Sequence, residues 1–419
     1  MNHSNGVAPE KAVFSLFSGE SGDNPFSLFA QLRGIGSVIP IPFPMGSTDR
    51  PAWMVTRMEE AMLVLKDHQL FTVDSSSIAG SHPMLSLADS ADPASPPTFF
   101  TGKSMLTVDE PDHRRLRRLV SKAFTPRFIE SLRPRVQKIA DELIDLVQAR
   151  GQMDLVTDYA YPLPINVISE MLGVPRADRE QIQSWSAALA HGLGLGRREP
   201  GVDEHLRAFG EYTAQLVDIK RQQPGNDLIS QLIAIEEEED RLDEAELVSM
   251  ITLLIFAGHE TTSNLIATGS LMLLDHPEQL KKLQANLSLV PSAVEELLRF
   301  NGPATIAGPR FATEDIELAG QQIKKGDAVI VVLKSANRDE IPFAYPEELD
   351  ITRKINRHLA FGHGIHMCLG APLARMEGEI AFTTLLTRVP GIRLNMPREK
   401  VKWNFTLSSQ GLTKLPVAF

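Results

Sequence analysis

The run Phe361-Gly362-His363-Gly364-Ile365-His366-Met367-Cys368-Leu369-Gly370 holds the only cysteine in a chain of 419 residues. One thiol cannot form an intramolecular disulfide, and a structural zinc site built on thiolates needs roughly two to four of them. Three meanings remain: a small buried cysteine, a nucleophile, or a single protein ligand to a metal held mainly by something else. The glycines narrow the choice. Gly362 and Gly364 open backbone angles closed to other residues. Gly370 removes a Cβ where a helix is predicted to begin, over Ala371 to Leu386. Amide groups at such a helix start point back at the cysteine, and with the helix dipole they favour a thiolate. The loop is therefore one that can approach a flat partner and present sulfur to it.

The bulk of the chain is ordinary for a globular protein, at 43% hydrophobic and 23% charged residues. No apolar run reaches the roughly 18 residues of a membrane span, and Met1 to Lys11 has no basic-then-apolar leader pattern. A cytoplasmic location is expected, with which a single thiol agrees. The net charge of −11 argues against nucleic acid as a partner. His113 to Arg118 (HRRLRR) and Lys122 break the acidic trend, either as a solvated helix face or as a surface for an acidic partner.

Patterning predicts one mainly α domain with small β pieces and no linker. Residues 1–25 read as a loose lead-in and Val38–Val55 as a hairpin. The Ser-, Ala- and Pro-rich stretch 74–106 reads as a long loop. Helical spacing runs through Phe128–Ala149, Asn166–Leu172, Asp178–Leu189, Leu206–Gln222 and Asp227–Glu237. A long helix is predicted from Asp243 to about Leu274, opened by an Asp243/Glu246 capping box. Pro277–Ala285 and Ser292–Phe300 follow, and short strands are expected at 316–318, 328–333, 405–407 and 415–417.

Three distant sets of residues bear on Cys368. Glu296 and Arg299 lie three apart on one helix face and can pair. Ala257-Gly258-His259-Glu260-Thr261-Thr262 puts weak helix formers inside the long helix. Threonine there can bond back one turn and loosen the ladder. Leu253, Phe256, Ala257, Glu260 and Thr261 share one face, an odd mixture for plain core. His113 and Arg117, four apart, present two cationic or hydrogen-bonding groups together, as paired carboxylates require.

Taken together, FGHGIHMCLG with Ala374-Arg375, the ExxR at Glu296–Arg299 and the Ala-Gly-x-Glu-Thr at 257–261 resemble the soluble bacterial cytochromes P450 over nearly the whole chain. The resemblance implies that family's fold, a triangular-prism α-rich body with haem between the long central helix and the cysteine-loop helix. It implies haem b held through iron by Cys368, with Ala257, Phe361, Gly362 and Gly370 against it. His113, Arg117, Arg310 and His366 would hold the propionates. Glu296 and Arg299 would brace the loop with Arg338 or Arg353. Glu260 would relay protons, and Thr261 would hydrogen-bond the oxygen being activated.

The implied activity is insertion of one oxygen atom of O2 into an apolar macrolide-, terpenoid-, steroid- or polyketide-like compound by a monomer. No dinucleotide-binding GxGxxG follows a strand, so electrons are expected from a separate ferredoxin- or flavodoxin-type donor docking at Arg114, Arg115, Arg118 and Lys122. A peroxide-driven hydroxylase or a non-catalytic haem sensor is the alternative, disfavoured by the Glu260–Thr261 pair. Expected pocket walls are Leu85, Phe99, Phe100, Leu189, Leu193, Leu253, Phe256, Ala257, Thr305, Ile306 and Leu407. The Gly-rich stretch near 192–201 would form a lid.

Overall fold

The computed structural model describes residues 25–41, 51–78, 98–99, 102–192, 201–235, 241–354, 357–405 and 408–419. The fold is mainly α with small sheets, as the residue patterns predict. Thr125 caps helix Pro126–Gln148 by accepting the Phe128 N–H, an interaction worth about 1 kcal/mol. Asp243 and Glu246 form the expected reciprocal capping box at the start of helix Glu244–Ala257. Gly173, in the left-handed region, ends helix Pro162–Leu172.

The central packing joins helix Ala371–Arg388 to Pro126–Gln148, Val290–Asn301 and Glu260–Asp275. Its interior is one large apolar cluster that includes Leu265, Leu297, Leu298, Phe382 and Leu385. Gly269 lets two of these helices touch, since a Cβ there would lie 2.7 Å from the Phe382 ring.

A five-stranded sheet flanks this body. Its order is Val38–Ile41, Ala52–Val55, Ala328–Val331, Arg310–Ala312, Phe71–Thr72. The expected hairpin pairs Val38 with Val55 through Ile41 with Ala52. Only Ala52–Val55 and Ala328–Val331 run parallel. At the C-terminus Trp403–Phe405 pairs with Gln410–Leu412, and Pro416–Ala418 with Gln152–Asp154. Helices Phe26–Ile35 and Met58–Lys66 and strand Phe71–Thr72 are further elements that the sequence reading did not include.

One expected element is corrected. The helix predicted from Asp243 to Leu274 is two helices, Glu244–Ala257 and Glu260–Asp275. His259 leaves helical geometry at φ −122°, and its ring Nδ1 lies 2.8 Å from the Ile255 carbonyl. Gly258 is required there, because a Cβ would sit 2.7 Å from the Leu254 carbonyl and 2.8 Å from Ile168. The imidazole takes the ladder position at the Ile255 carbonyl, while the Gly258 N–H still donates to the Leu254 carbonyl at 3.1 Å.

Candidate active site

The cysteine loop closes on itself. The Cys368 N–H donates to the Phe361 carbonyl at 2.9 Å, and Met367 N–H to Gly364 at 3.1 Å. Gly362 and Gly364 adopt φ of 71° and 75°, conformations that exclude most side chains. Gly364 also lies against helix Met58–Lys66, where a Cβ would collide with the Leu65 carbonyl. Helix Ala371–Arg388 starts three residues after the cysteine, and the N–H groups of Gly370 and Ala371 donate to its sulfur. Cys368 keeps an exposed surface. Enclosure pushes the thiol up from its usual range, partly offset by those amides and by Arg117 and Arg375. A metal cation in place of the proton resolves that conflict.

The brace behind the loop is fully buried. Arg299 makes a bidentate pair with Glu296, both bonds 2.8 Å. Its remaining donors reach the carbonyls of Asn337 (3.0 Å), Pro346 (2.9 Å) and Glu348 (3.1 Å). Asn337 then accepts the Leu359 N–H at 2.6 Å, which passes the constraint to the start of the cysteine loop. The second arginine on Glu296 is Arg353, at 3.1 Å, and not Arg338. Arg338 points the other way: it donates to the Phe300 carbonyl at 2.7 Å, pairs with Glu347, and lies between the Phe26 and Phe300 rings. It ties down the end of the ExxR helix and leaves Glu296 to Arg353.

The four residues expected at one anionic group converge. The rings of His113 and His366 are 4.4 Å apart. Arg117 donates to the Ile365 carbonyl at 3.2 Å, and Arg310 lies in the second-to-last strand of the large sheet. Among the described residues Arg310 donates only to the Gly308 carbonyl. Burial lowers it to about 10, against the opposing pull of Asp109. Burial, then the charges of His366 and Arg117, hold His113 down at about 4, and its buried Nε2 has no hydrogen-bond partner. An orphaned imidazole nitrogen beside two underused guanidinium groups fits a bound carboxylate.

Asp109 was not anticipated. It accepts from His366 (2.8 Å), Thr72 (2.5 Å) and the Val73 N–H (2.9 Å). Burial raises this carboxyl, but the three donors outweigh it and the net shift is downward. Both His366 nitrogens therefore lie on acceptors, Asp109 and the Met105 carbonyl. His366 serves by fixing Asp109 and packing its ring against His113 at a tilt of 58°.

On the broken helix, Ala257 and Thr261 are the only exposed residues between Val248 and Leu273. They lie one turn apart, and Thr261 Oγ1 donates to the Ala257 carbonyl at 3.1 Å. A small residue and a hydroxyl thus face open space in an otherwise buried helix pair. Glu260 is half-buried and accepts from Ser409 Oγ at 3.3 Å.

Of the expected pocket walls, Phe99 and Phe256 meet with ring centroids 5.0 Å apart. Thr305 is buried and Ile306 half-buried. Leu189 presents no surface and belongs to the core, because its helix packs that side inward. Leu253 is likewise nearly all core. Leu85, Phe100, Leu193 and Leu407 lie outside the described residues. The expected basic surface is also corrected: Arg115 turns inward to Glu246, while Arg114 pairs with Glu110. Position 115 faces the first turn of helix Glu244–Ala257, and only Arg114, Arg118 and Lys122 remain exposed.

A second missed residue is Glu377, on the helix that follows Cys368. It is 1% exposed, and neither carboxyl oxygen has a partner. Burial raises it to about 8. An unfolded chain ionises this group near 4.5, so this group's contribution to stability is greatest below that pH. It then falls, at about 1.4 kcal/mol per pH unit, until the folded carboxyl ionises. Glu377→Gln is expected to gain thermal stability over the wild type between about pH 5 and pH 8. Parallel melting curves across that range would show that the carboxyl is already ionised or hydrated.

The chain thus combines a lone cysteine on a glycine loop, a buried cluster of imidazole and guanidinium groups, and an acid and an alcohol beside a helix break. The cytochrome P450 family model matches residues 202–413. Cytochrome P450 CYP107DY1 of Priestia megaterium is 47% identical over 88% of this chain and 90% of its own. The polyketide biosynthesis cytochrome P450 PksS of Bacillus subtilis is 40% identical over 98% of this chain and 99% of its own. The crystal structure of the myxobacterial cytochrome P450 CYP267B1 in complex with myristic acid superposes with a TM-score of 0.86, at 39% identity, over 97% and 98% of the two chains. The chain belongs to the cytochrome P450 family, and it is an enzyme of the P450 monooxygenase class with a haem-iron cofactor.

Proposed function

We propose that this enzyme holds haem b through Cys368 and inserts one oxygen atom of O2 into a largely apolar compound of polyketide, macrolide, terpenoid or steroid type. The observation that carries the reading is the sulfur of Cys368, reached by the Gly370 and Ala371 N–H groups and left with an exposed face. His113, Arg117 and Arg310 would bind the propionates, with His366 and Asp109 setting the adjacent imidazole. Bound there, haem supplies dioxygen binding and electron transfer, and the thiolate ligand favours O–O cleavage.

The chain's own residues do the rest. Ala257 leaves room beside the helix break, Thr261 offers a hydroxyl at that face, and Glu260 supplies a carboxyl one residue away. Proton delivery needs such groups within hydrogen-bond reach of the reacting oxygen or of one intervening water. Phe99, Phe256, Thr305 and Ile306 would bound an apolar substrate, with electrons arriving from a separate ferredoxin-type donor at the face of Arg114, Arg118 and Lys122. Relatedness to an enzyme named for polyketide biosynthesis and to one crystallised with a fatty acid supports a flexible or bulky apolar substrate.

The test is a spectral titration of polyketide, macrolide, terpenoid, steroid and fatty-acid compounds, followed by NADPH-driven turnover with a surrogate ferredoxin pair. A substrate-type shift plus oxygenated product is expected; turnover with peroxide alone would favour the peroxide-driven alternative. Thr261→Ala is expected to keep NADPH consumption while product per NADPH falls about tenfold and peroxide rises. Unchanged coupling would remove Thr261 from proton delivery.

A further inference from the structure

The Glu260 carboxyl is held by a part of the chain far away in sequence. Glu260 and Asn264 are four apart, on one face of helix Glu260–Asp275. That face meets the C-terminal hairpin: Asn264 lies so close to Gly411 that a Cβ there would collide with its side chain. Ser409 Oγ donates to Glu260 Oε1 at 3.3 Å.

The hairpin end carrying Ser409 is anchored independently of this contact. Ser409 bridges to Ala304 in the backbone. Thr305 N–H donates to the Ser408 carbonyl at 3.0 Å, and Gln410 N–H to Pro303 at 2.9 Å. The Gln410 side chain accepts from the buried Lys334 ammonium at 2.5 Å, which also donates to Asn301 at 2.7 Å. Backbone bonds and the Lys334 cluster therefore fix the segment. A hydroxyl held so rigidly, aimed at a carboxyl, is preorganised to set where that carboxyl sits. The backbone that fixes it is the 303–305 segment leading into Ile306, part of the proposed substrate wall.

We infer that Ser409 is a positioning residue for Glu260, tying the acid of the proton path to the backbone that borders the substrate. The inference rests on the monooxygenase reading of Glu260 and goes beyond it by naming what orients the acid. Substrate pressing on Thr305 and Ile306 bears on the same anchor, so proton delivery is matched to a correctly seated substrate.

The experiment uses the holoenzyme, with Ser409→Ala, Ser409→Thr, Glu260→Gln and the double variant Ser409→Ala/Glu260→Gln. Ser409→Ala is expected to lower coupled product formation about fivefold through kcat with KM little changed, and to raise the solvent deuterium isotope effect. Ser409→Thr, which keeps the hydroxyl, is expected to restore most of the loss. In the Glu260→Gln background the Ser409→Ala effect on turnover should vanish. Thermal melting supplies a readout apart from activity: the Ser409→Ala loss in Tm should shrink when Glu260 is already Gln. Equal losses in both backgrounds, or a loss confined to KM, would overturn the inference. The reduced carbon monoxide spectrum separates the two readings. A normal thiolate-type band with wild-type coupling in Ser409→Ala sinks Ser409 alone, whereas no such band in the wild type sinks the monooxygenase reading and Ser409 with it.

Discussion

Cys368→Ser is expected to abolish the red-shifted Soret band that a reduced haem-thiolate protein gives with carbon monoxide, and with it at least about a thousandfold of the oxygenation rate. Serine keeps the size and the hydrogen bonds from Gly370 and Ala371, so the loop has no reason to collapse. What serine lacks is a soft, easily ionised sulfur. The band is read on haem-containing protein, which separates ligand loss from cofactor loss, and its survival in the variant would overturn thiolate ligation. Because burial already pushes the thiol up, apoprotein carrying a protonated thiol is the expected resting form, and iron binding releases that proton.

Arg299→Ala is expected to have the largest effect on stability. The change leaves the buried Glu296 to Arg353 and the Asp350 N–H and removes donors from three carbonyls, those of Asn337, Pro346 and Glu348. Breaking a buried ion pair from one side costs about 3–5 kcal/mol, a large share of the roughly 5–15 kcal/mol that holds a domain folded. Most of the protein should fail to accumulate in folded, haem-containing form. Arg299→Lys should not rescue it, since one ammonium cannot make the bidentate pair and reach three carbonyls. A double-mutant cycle in urea unfolding distinguishes the outer arginines: Glu296→Gln should couple to Arg353→Ala and hardly at all to Arg338→Ala. Near-native stability of Arg299→Lys, or coupling to Arg338 instead, would contradict the geometry.

Much of the site was legible in the chain because its key residues lie close together in sequence. The Cys368 loop carries Gly362 and Gly364 two residues apart, and their positive φ angles follow from that local demand. Glu296 and Arg299, or His113 and Arg117, are neighbours by helical spacing alone. The third member of each set was not legible. Arg338 and Arg353 are equivalent as charges on the chain, and only the path of residues 337–353 around Glu296 decides that Arg353 reaches it. Asp109 carried no signal because its partners Thr72, Val73 and His366 come from three separate segments. Glu377 looked like one more helical glutamate; its burial depends on helices brought against it from elsewhere in the fold.

Arg115 and Leu189 show the same limit from the other side. A run of arginines specifies a basic helix, but which one turns inward depends on the position of Glu246. An apolar residue on a helix specifies burial, but whether it faces core or ligand depends on what packs opposite. The sequence by itself determined the mainly α class, the glycine-bounded cysteine loop, the brace pair and the neighbouring acid and alcohol, since each rests on local backbone chemistry or helical periodicity. The tertiary structure alone decided the choice of Arg353, the Asp109 anchor and the Ser409 contact to Glu260. Those depend on groups tens to hundreds of residues apart, whose meeting is set by packing of the whole core and by nothing within the chain's local pattern.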